Sequence, residues 1–148
     1  MKLVSTVAAA VAALALCVSA ATAAPAHRGS TQARTFCGAA HAISKYLKGA
    51  LAMTNGVVDE TPANLELAYT TVVNSEPALT ATAPKSLRPS LAQVFSFLNL
   101  VKADFEKADW QVAKMKPYFP ALIAKGNAIA KPARVVRAYL HGTCHIGI

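Results

Sequence analysis

Cysteine and histidine side chains lie in two short clusters near the ends of this chain. The first cluster is FCGAAH at residues 36–41, and the second is HGTCH at residues 141–145. Imidazole and thiolate groups are ligands that bind Zn²⁺ and Cu²⁺ well, and two cysteines can instead oxidise to a disulfide. The two clusters therefore predict either a metal site or a covalent link between the two ends of the domain.

Residues 1–23 have the pattern of a secretory signal peptide. Lys2 precedes the apolar run LVSTVAAAVAALALCVSA, and the small-x-small sequence ATA then precedes an Ala-Pro dipeptide. The run is short for a membrane span and no charged stop follows it. We expect cleavage after Ala23, with a site three residues further on as the alternative. Cleavage removes Cys17 and leaves 24–148 as one secreted domain with no transmembrane segment.

The remaining cysteines, Cys37 and Cys144, would then lie in an oxidising compartment. Neither belongs to a C-x-x-C redox pair. Two cysteines in an exported domain predict a disulfide rather than free thiols. A bridge between them would close a loop that spans most of the domain, and on chain-entropy grounds it would stabilise the fold by about 4–5 kcal/mol.

A disulfide would leave three imidazoles near the link. His41 follows Cys37 by one helical turn, and His141 and His145 flank Cys144. Three histidines and a water would suit Zn²⁺ or Cu²⁺, so these residues are an alternative metal site. The basic surroundings repel a dication, and a helix C-terminus favours a charged imidazole at His141. We therefore expect no resident cofactor.

Patterns typical of catalysis are missing from the sequence. It contains no glycine-rich phosphate loop and no G-x-S-x-G motif. Asp59 and Glu60 are adjacent, but they precede a predicted helix, where carboxylates favour the helix dipole. The segment KMKPYF at 114–119 interleaves basic and aromatic residues, and is either a packed lid or a stacking surface. We expect a protein that is not an enzyme.

Charge is unevenly distributed along the chain, which has a formal net charge of +8. All seven acidic residues lie between 59 and 109, and the flanking segments are purely basic. A basic exported protein usually meets anionic lipid, cell-wall polymer or glycan rather than nucleic acid, although a basic surface can also serve only solubility. We expect binding of an anionic cell-envelope or extracellular partner through a basic pole, defined as Arg34, Lys45, Lys48, Lys131, Arg134 and Arg137.

Hydrophobic periodicity predicts an all-α fold, an antiparallel bundle of four to five helices. Thr61 is a predicted N-cap before a proline at the first helical position, and Pro77 is expected to kink or break that helix. The central helix carries a seam with alternating steps of four and three. Its members are Leu87, Leu91, Val94, Leu98, Val101 and Phe105. The predicted helices cover about 32–53 and 62–83, a central stretch that starts near 86 and includes Phe105, and then about 120–130 and 132–142.

A second functional class is a carrier of a small molecule, haem or a metal. Four-helix bundles can hold an apolar ligand between helices, and Tyr46, Tyr69, Tyr139 and Met53 are candidate contributors. Aromatic and methionine side chains at helical spacing also serve as plain core. The His41/His141/His145 cluster is the corresponding candidate for a metal.

The layout resembles small secreted helical proteins of actinobacteria, most of them without a known function. The marks of this type are FC at the start of the first helix, AP before a central helix, and a tyrosine followed by a cysteine at the end. They correspond here to Phe36-Cys37, Ala83-Pro84 and the segment 139–144. The resemblance implies a helical fold, export and a cysteine pair that bridges the ends, but no activity. The histidines beside Cys144 and the prolines of the last third depart from this pattern.

Overall fold

The computed structural model describes residues 31–47 and 61–147, and it contains no strand in these ranges. The all-α prediction is confirmed, with six α-helices and one 3₁₀-helix in the described part. The helices are α1 (Thr31–Ala42), α2 (Pro62–Asn74), α3 (Glu76–Thr82), α4 (Arg88–Lys107), the 3₁₀-helix Val112–Met115, α5 (Phe119–Ala128) and α6 (Ala130–Gly142).

Several predictions concern residues outside the described ranges. They are the signal peptide 1–23, the last part of the first predicted helix (48–53) with Lys48 and Met53, and the Asp59-Glu60 pair. Within the described residues, no helix combines the length and the apolar character needed to cross a bilayer.

The helix boundaries follow local chemistry. The Thr61 hydroxyl accepts a hydrogen bond from the Asn64 N–H at 3.3 Å, and Pro62 occupies the first position of α2. The second predicted helix is divided, because Pro77 lies in the first turn of a new helix, where its missing N–H is tolerated. At the division the Ser75 hydroxyl donates to the Val72 carbonyl oxygen at 2.6 Å.

The first helix is interrupted earlier than expected. It was predicted to continue to about 53, but α1 ends at Ala42 and Ile43 lies in a turn. The Ile43 N–H donates to the Ala40 carbonyl oxygen three residues back, and helical structure resumes over 44–47. A tighter i→i+3 bond therefore interrupts the α-helical pattern at this point without any proline.

Helix α4 is the packing centre of the bundle, and it contacts α2, α3, α5, α6 and the 3₁₀-helix. Its predicted seam is the buried face. Leu87, Leu91, Leu98, Val101 and Phe105 are buried, and Val94 is half-buried against the same core. The alternating spacing of four and three residues between apolar positions therefore predicted the buried face of α4 correctly.

Helix α1 contacts the bundle at two places, near the end of α3 and near the end of α6. The Gln32 side-chain amide donates to the Ala83 carbonyl oxygen at 3.0 Å, on the side where α1 packs against α3. The buried ring of Phe36 meets the ring of Tyr139 edge-on, with 5.6 Å between centroids. These contacts place α1 beside the end of α6.

The segment after α4 makes a sharp turn. Asp109 and Trp110 both have positive φ, 51° and 59°, which is unusual for a bulky side chain. Trp110 stacks on Phe105, with 5.7 Å between centroids and an interplanar angle of 5°. Met115 is buried and Tyr118 is half-buried, whereas Phe119 is exposed. Trp110, Met115 and Tyr118 therefore pack on the bundle, whereas most other residues of 109–120 are exposed.

Candidate functional site

The two chemically distinctive clusters of the sequence do meet. Cys37 in α1 and Cys144 after α6 form a disulfide, with 5.1 Å between their Cα atoms. This separation is ordinary for a bridged pair. Cys37 is half-buried and Cys144 is buried, so the link lies against the core. The predicted disulfide is confirmed.

The three histidines beside this link are not arranged as a metal site. His41 Nε2 lies 2.8 Å from the Cys144 carbonyl oxygen, and because a carbonyl can only accept, the ring nitrogen donates. His141 and His145 are exposed, and His145 has a φ of 56° in the terminal turn. Among the described residues, no group of three His, Cys, Asp or Glu side chains could share a metal ion. The structure therefore does not bring His41, His141 and His145 together in the group that the alternative metal site requires.

A cavity of about 490 Å³ lies between α4, α5 and α6. Tyr69, which was named as a possible ligand contact, lines it, whereas neither Tyr46 nor Tyr139 is among its described lining residues. The lining is Leu47, Tyr69, Val94, Phe97, Leu98, Val101, Phe105, Met115, Phe119, Leu122, Ile123, Gly126, Asn127, Ile129, Ala133, Val136, Arg137 and Leu140.

The exposure of the lining residues locates the opening of the cavity. Phe119, Ile123 and Asn127 of α5 and Arg137 of α6 line the cavity and are also exposed to solvent. Ile123 is 63% exposed, a high value for an isoleucine in a cavity wall. A side chain that both lines a cavity and reaches solvent lies at its opening. The cavity therefore opens between α5 and α6, and its inner walls are buried residues of α4, the 3₁₀-helix and α6.

The described residues that line the cavity carry charge at a single position. Arg137 is the one charged side chain among the described lining residues. Tyr69 is neutral at physiological pH, as an ordinary tyrosine is, and burial raises the pKa of its hydroxyl further. No buried side-chain nitrogen or oxygen within the described ranges lacks a hydrogen-bond partner. The interior therefore suits an apolar occupant.

The described members of the basic pole are all exposed. Arg34 lies in α1, Lys45 follows the turn at Ile43, and Lys131, Arg134 and Arg137 lie along α6. The Lys45 ammonium lies 4.6 Å from the centroid of the Tyr46 ring. Lys48 is outside the described residues.

The ion pairs of the described residues lie elsewhere. They join Lys102 to Glu106, Lys107 to Asp104 and Lys114 to Asp109. Asp104 is buried, and the hydrogen bond from Lys107 together with the charge of Asp104 raises the pKa of Lys107. Three acidic side chains are thus neutralised by lysines outside the basic pole. The described cations of the pole take part in none of these pairs.

Sequence reasoning missed the residues of α5 that form the opening. Phe119, Leu122, Ile123 and Gly126 follow the i, i+3, i+4, i+7 spacing of one helix face, and this signal was available. A Cβ atom built on Gly126 would lie 3.6 Å from the Phe97 ring, so this glycine leaves space next to an aromatic wall. This spacing predicts that the helix face is buried, yet Phe119 and Ile123 lie at the cavity opening.

Comparison of this chain with protein-family models, curated proteins and solved structures found no match.

Proposed function

We propose that this protein is a non-enzymatic binding protein that carries a small, largely apolar molecule in the cavity between α4, α5 and α6. The observation that carries this proposal is the cavity itself, with a volume of about 490 Å³ and a lining that is almost wholly apolar. Small-molecule sites in proteins typically occupy about 300–1,000 Å³ and are lined by apolar and aromatic side chains with a few polar groups.

The place of action that we propose is outside the cytoplasm. Two features support it: the signal-peptide pattern of residues 1–23, and the disulfide between Cys37 and Cys144, a bond that persists in oxidising compartments. The resemblance to secreted actinobacterial proteins agrees with this address. A carrier of apolar molecules has an evident use there, because such molecules partition poorly into water.

The carrier proposal can be tested by filling the cavity. Ala133 of α6 lines it, and Ala138 of the same helix is exposed and is not among its described lining residues. We expect an uncharged apolar dye, whose fluorescence rises in apolar surroundings, to bind the unmodified protein. Ala133→Trp should weaken this binding by about tenfold or more, because the indole would occupy space that the dye needs.

Ala138→Trp is the matched control, since it adds the same indole to the same helix away from the described lining. It should leave dye binding unchanged. Thermal unfolding of both variants checks that each one is folded. Equal binding by Ala133→Trp, Ala138→Trp and the unmodified protein would contradict the proposed cavity site.

A second candidate function, binding of an anionic envelope partner, is favoured by the state of the basic pole. Its described members are exposed and belong to none of the ion pairs among the described residues. The disulfide and the contact of Phe36 with Tyr139 hold α1 and the end of α6 together, so the two basic stretches belong to adjoining elements. Unpaired exposed cations attract anionic surfaces in a salt-dependent manner.

Sedimentation with vesicles that contain anionic lipid tests this second function. We expect binding at low salt that falls as salt screens the charges. The double substitution Lys131→Gln with Arg134→Gln should weaken binding by about 2 kcal/mol, roughly 30-fold, at about 1 kcal/mol per basic residue near the surface. Lys85→Gln with Lys116→Gln removes the same charge from exposed lysines that lie outside the basic pole and outside these ion pairs, and it should have a smaller effect. Binding that is absent, or unaffected by salt, would exclude the basic pole as a docking surface.

A further inference from the structure

We infer that the molecule held in the cavity is a single-chain amphiphile with a carboxylate head, whose chain fills the apolar interior and whose carboxylate binds the Arg137 guanidinium at the opening. This inference rests on the proposed carrier function and specifies its ligand class. It follows from the position of Arg137, the one charged side chain among the described residues that line the cavity.

The position of Arg137 on α6 makes it part of the cavity wall. Ala133, Val136, Arg137 and Leu140 follow the i, i+3, i+4, i+7 spacing of one helix face, and all four line the cavity. Val136 and Leu140 are buried, whereas Arg137 is exposed. The same face therefore presents apolar side chains to the interior and one exposed arginine at the rim.

The rim offers hydrogen-bond donors with little competition for them. Asn127 of α5 lies at the opening as well, and its side-chain amide can donate alongside the guanidinium. The described lining contains no carboxylate that could neutralise Arg137. None of the ion pairs among the described residues includes it. An anionic ligand group would thus meet a positive charge that the described residues leave uncompensated.

The chemistry of the guanidinium favours a carboxylate as that group. The planar fork of an arginine matches the two oxygens of a carboxylate and forms two parallel charge-assisted hydrogen bonds. A ligand with a single apolar chain suits a cavity of about 490 Å³, which is in the range for one small molecule. Exposed Phe119 and Ile123 border the opening and supply apolar contacts to the part of the chain nearest the head.

Displacement of the apolar dye by two matched ligands tests the inference. Dodecanoate and dodecanol have the same chain and differ in the charged head. We expect dodecanoate to bind the unmodified protein about tenfold or more tightly than dodecanol, as a charge-assisted bidentate contact would give. Arg137→Gln should abolish this preference while dodecanol binding is kept, and Arg137→Lys should retain part of it.

Arg134→Gln is the matched control for the test. Arg134 lies one turn earlier on α6, is exposed, and does not line the cavity. Its substitution removes the same charge and should leave the preference for dodecanoate intact. A preference lost equally in Arg134→Gln and Arg137→Gln would mean attraction by overall charge, and it would overturn the assignment of Arg137.

The outcomes separate this inference from the proposed function on which it rests. If dodecanoate and dodecanol displace the dye equally well, and Ala133→Trp still weakens dye binding, the carboxylate assignment is wrong and the carrier function stands. If dye, dodecanoate and dodecanol all fail to bind the folded protein, both the carrier function and the ligand class are wrong.

Discussion

Reduction of the disulfide between Cys37 and Cys144 should lower the stability of the protein by up to about 4–5 kcal/mol, the chain-entropy value for a closed loop of about 100 residues. The two cysteines are 107 positions apart, so the link restricts almost the whole described domain in the unfolded state. For a domain of this size, the loss corresponds to a fall in Tm of roughly 10–20 °C. Thermal unfolding with and without a reductant measures it.

The double variant Cys37→Ala with Cys144→Ala is the companion experiment, and a reductant should have no effect on its Tm. Peptide mapping without reduction should find the two cysteines joined in protein recovered from the medium of a secreting host, with an N-terminus near residue 24. Two reactive thiols in such protein, or an N-terminus that still carries residues 1–23, would contradict the proposed exported state.

The core and the covalent link were the most predictable parts of this molecule. The seam of α4 could be read from the sequence because its apolar steps repeat over five turns, and burial of one helix face is the main driving force for packing. The pairing of Cys37 with Cys144 followed from a count of two cysteines after the predicted cleavage. Thr61 and Pro62 marked the start of α2 through the chemistry of their own side chains.

The cavity could not be predicted from the same patterns. A hydrophobic stripe indicates which face of a helix turns inward, but it does not indicate whether the facing side chains fill the space between helices. The volume depends on how α5 and α6 lie against α4, and small residues such as Gly126 and Ala133 on the inner faces leave room there. The positions of these helices depend on contacts throughout the bundle, and the pattern of one helix does not report them.

Backbone geometry set two other features that sequence periodicity does not report. Ile43 interrupts the first helix through an i→i+3 hydrogen bond, although its neighbours continue the helical pattern. His145 adopts a positive φ, which usually favours glycine, so that the Ile146 N–H reaches the Leu140 carbonyl oxygen at 2.9 Å. This turn buries Ile146 and leaves the imidazole of His145 exposed.

Arg137 joins the two proposed functions in a single residue. It belongs to the basic pole through its charge and exposure, and to the cavity through its place on the inner face of α6. The sequence shows only that Arg34, Lys131, Arg134 and Arg137 are all cations. The structure distinguishes Arg137, because it lines the cavity on the same helix face as the buried residues Val136 and Leu140. Arg137 could be distinguished from the other cations only once the position of α6 in the bundle was known.

Truncation of a buried leucine side chain in α4 should produce the second large loss of stability. Leu98 is 7% exposed, lies in the middle of the α4 seam and also lines the cavity. Leu98→Ala should lower the free energy of unfolding by about 2–5 kcal/mol, because apolar contacts are lost and the vacated volume adds to space that already lacks protein atoms. Denaturant titration measures the change.

The matched control is Leu67→Ala on α2, where the leucine is 54% exposed and the expected loss is within about 0.5 kcal/mol. Losses of equal size at the two positions would contradict the assignment of the α4 seam as the core of the bundle.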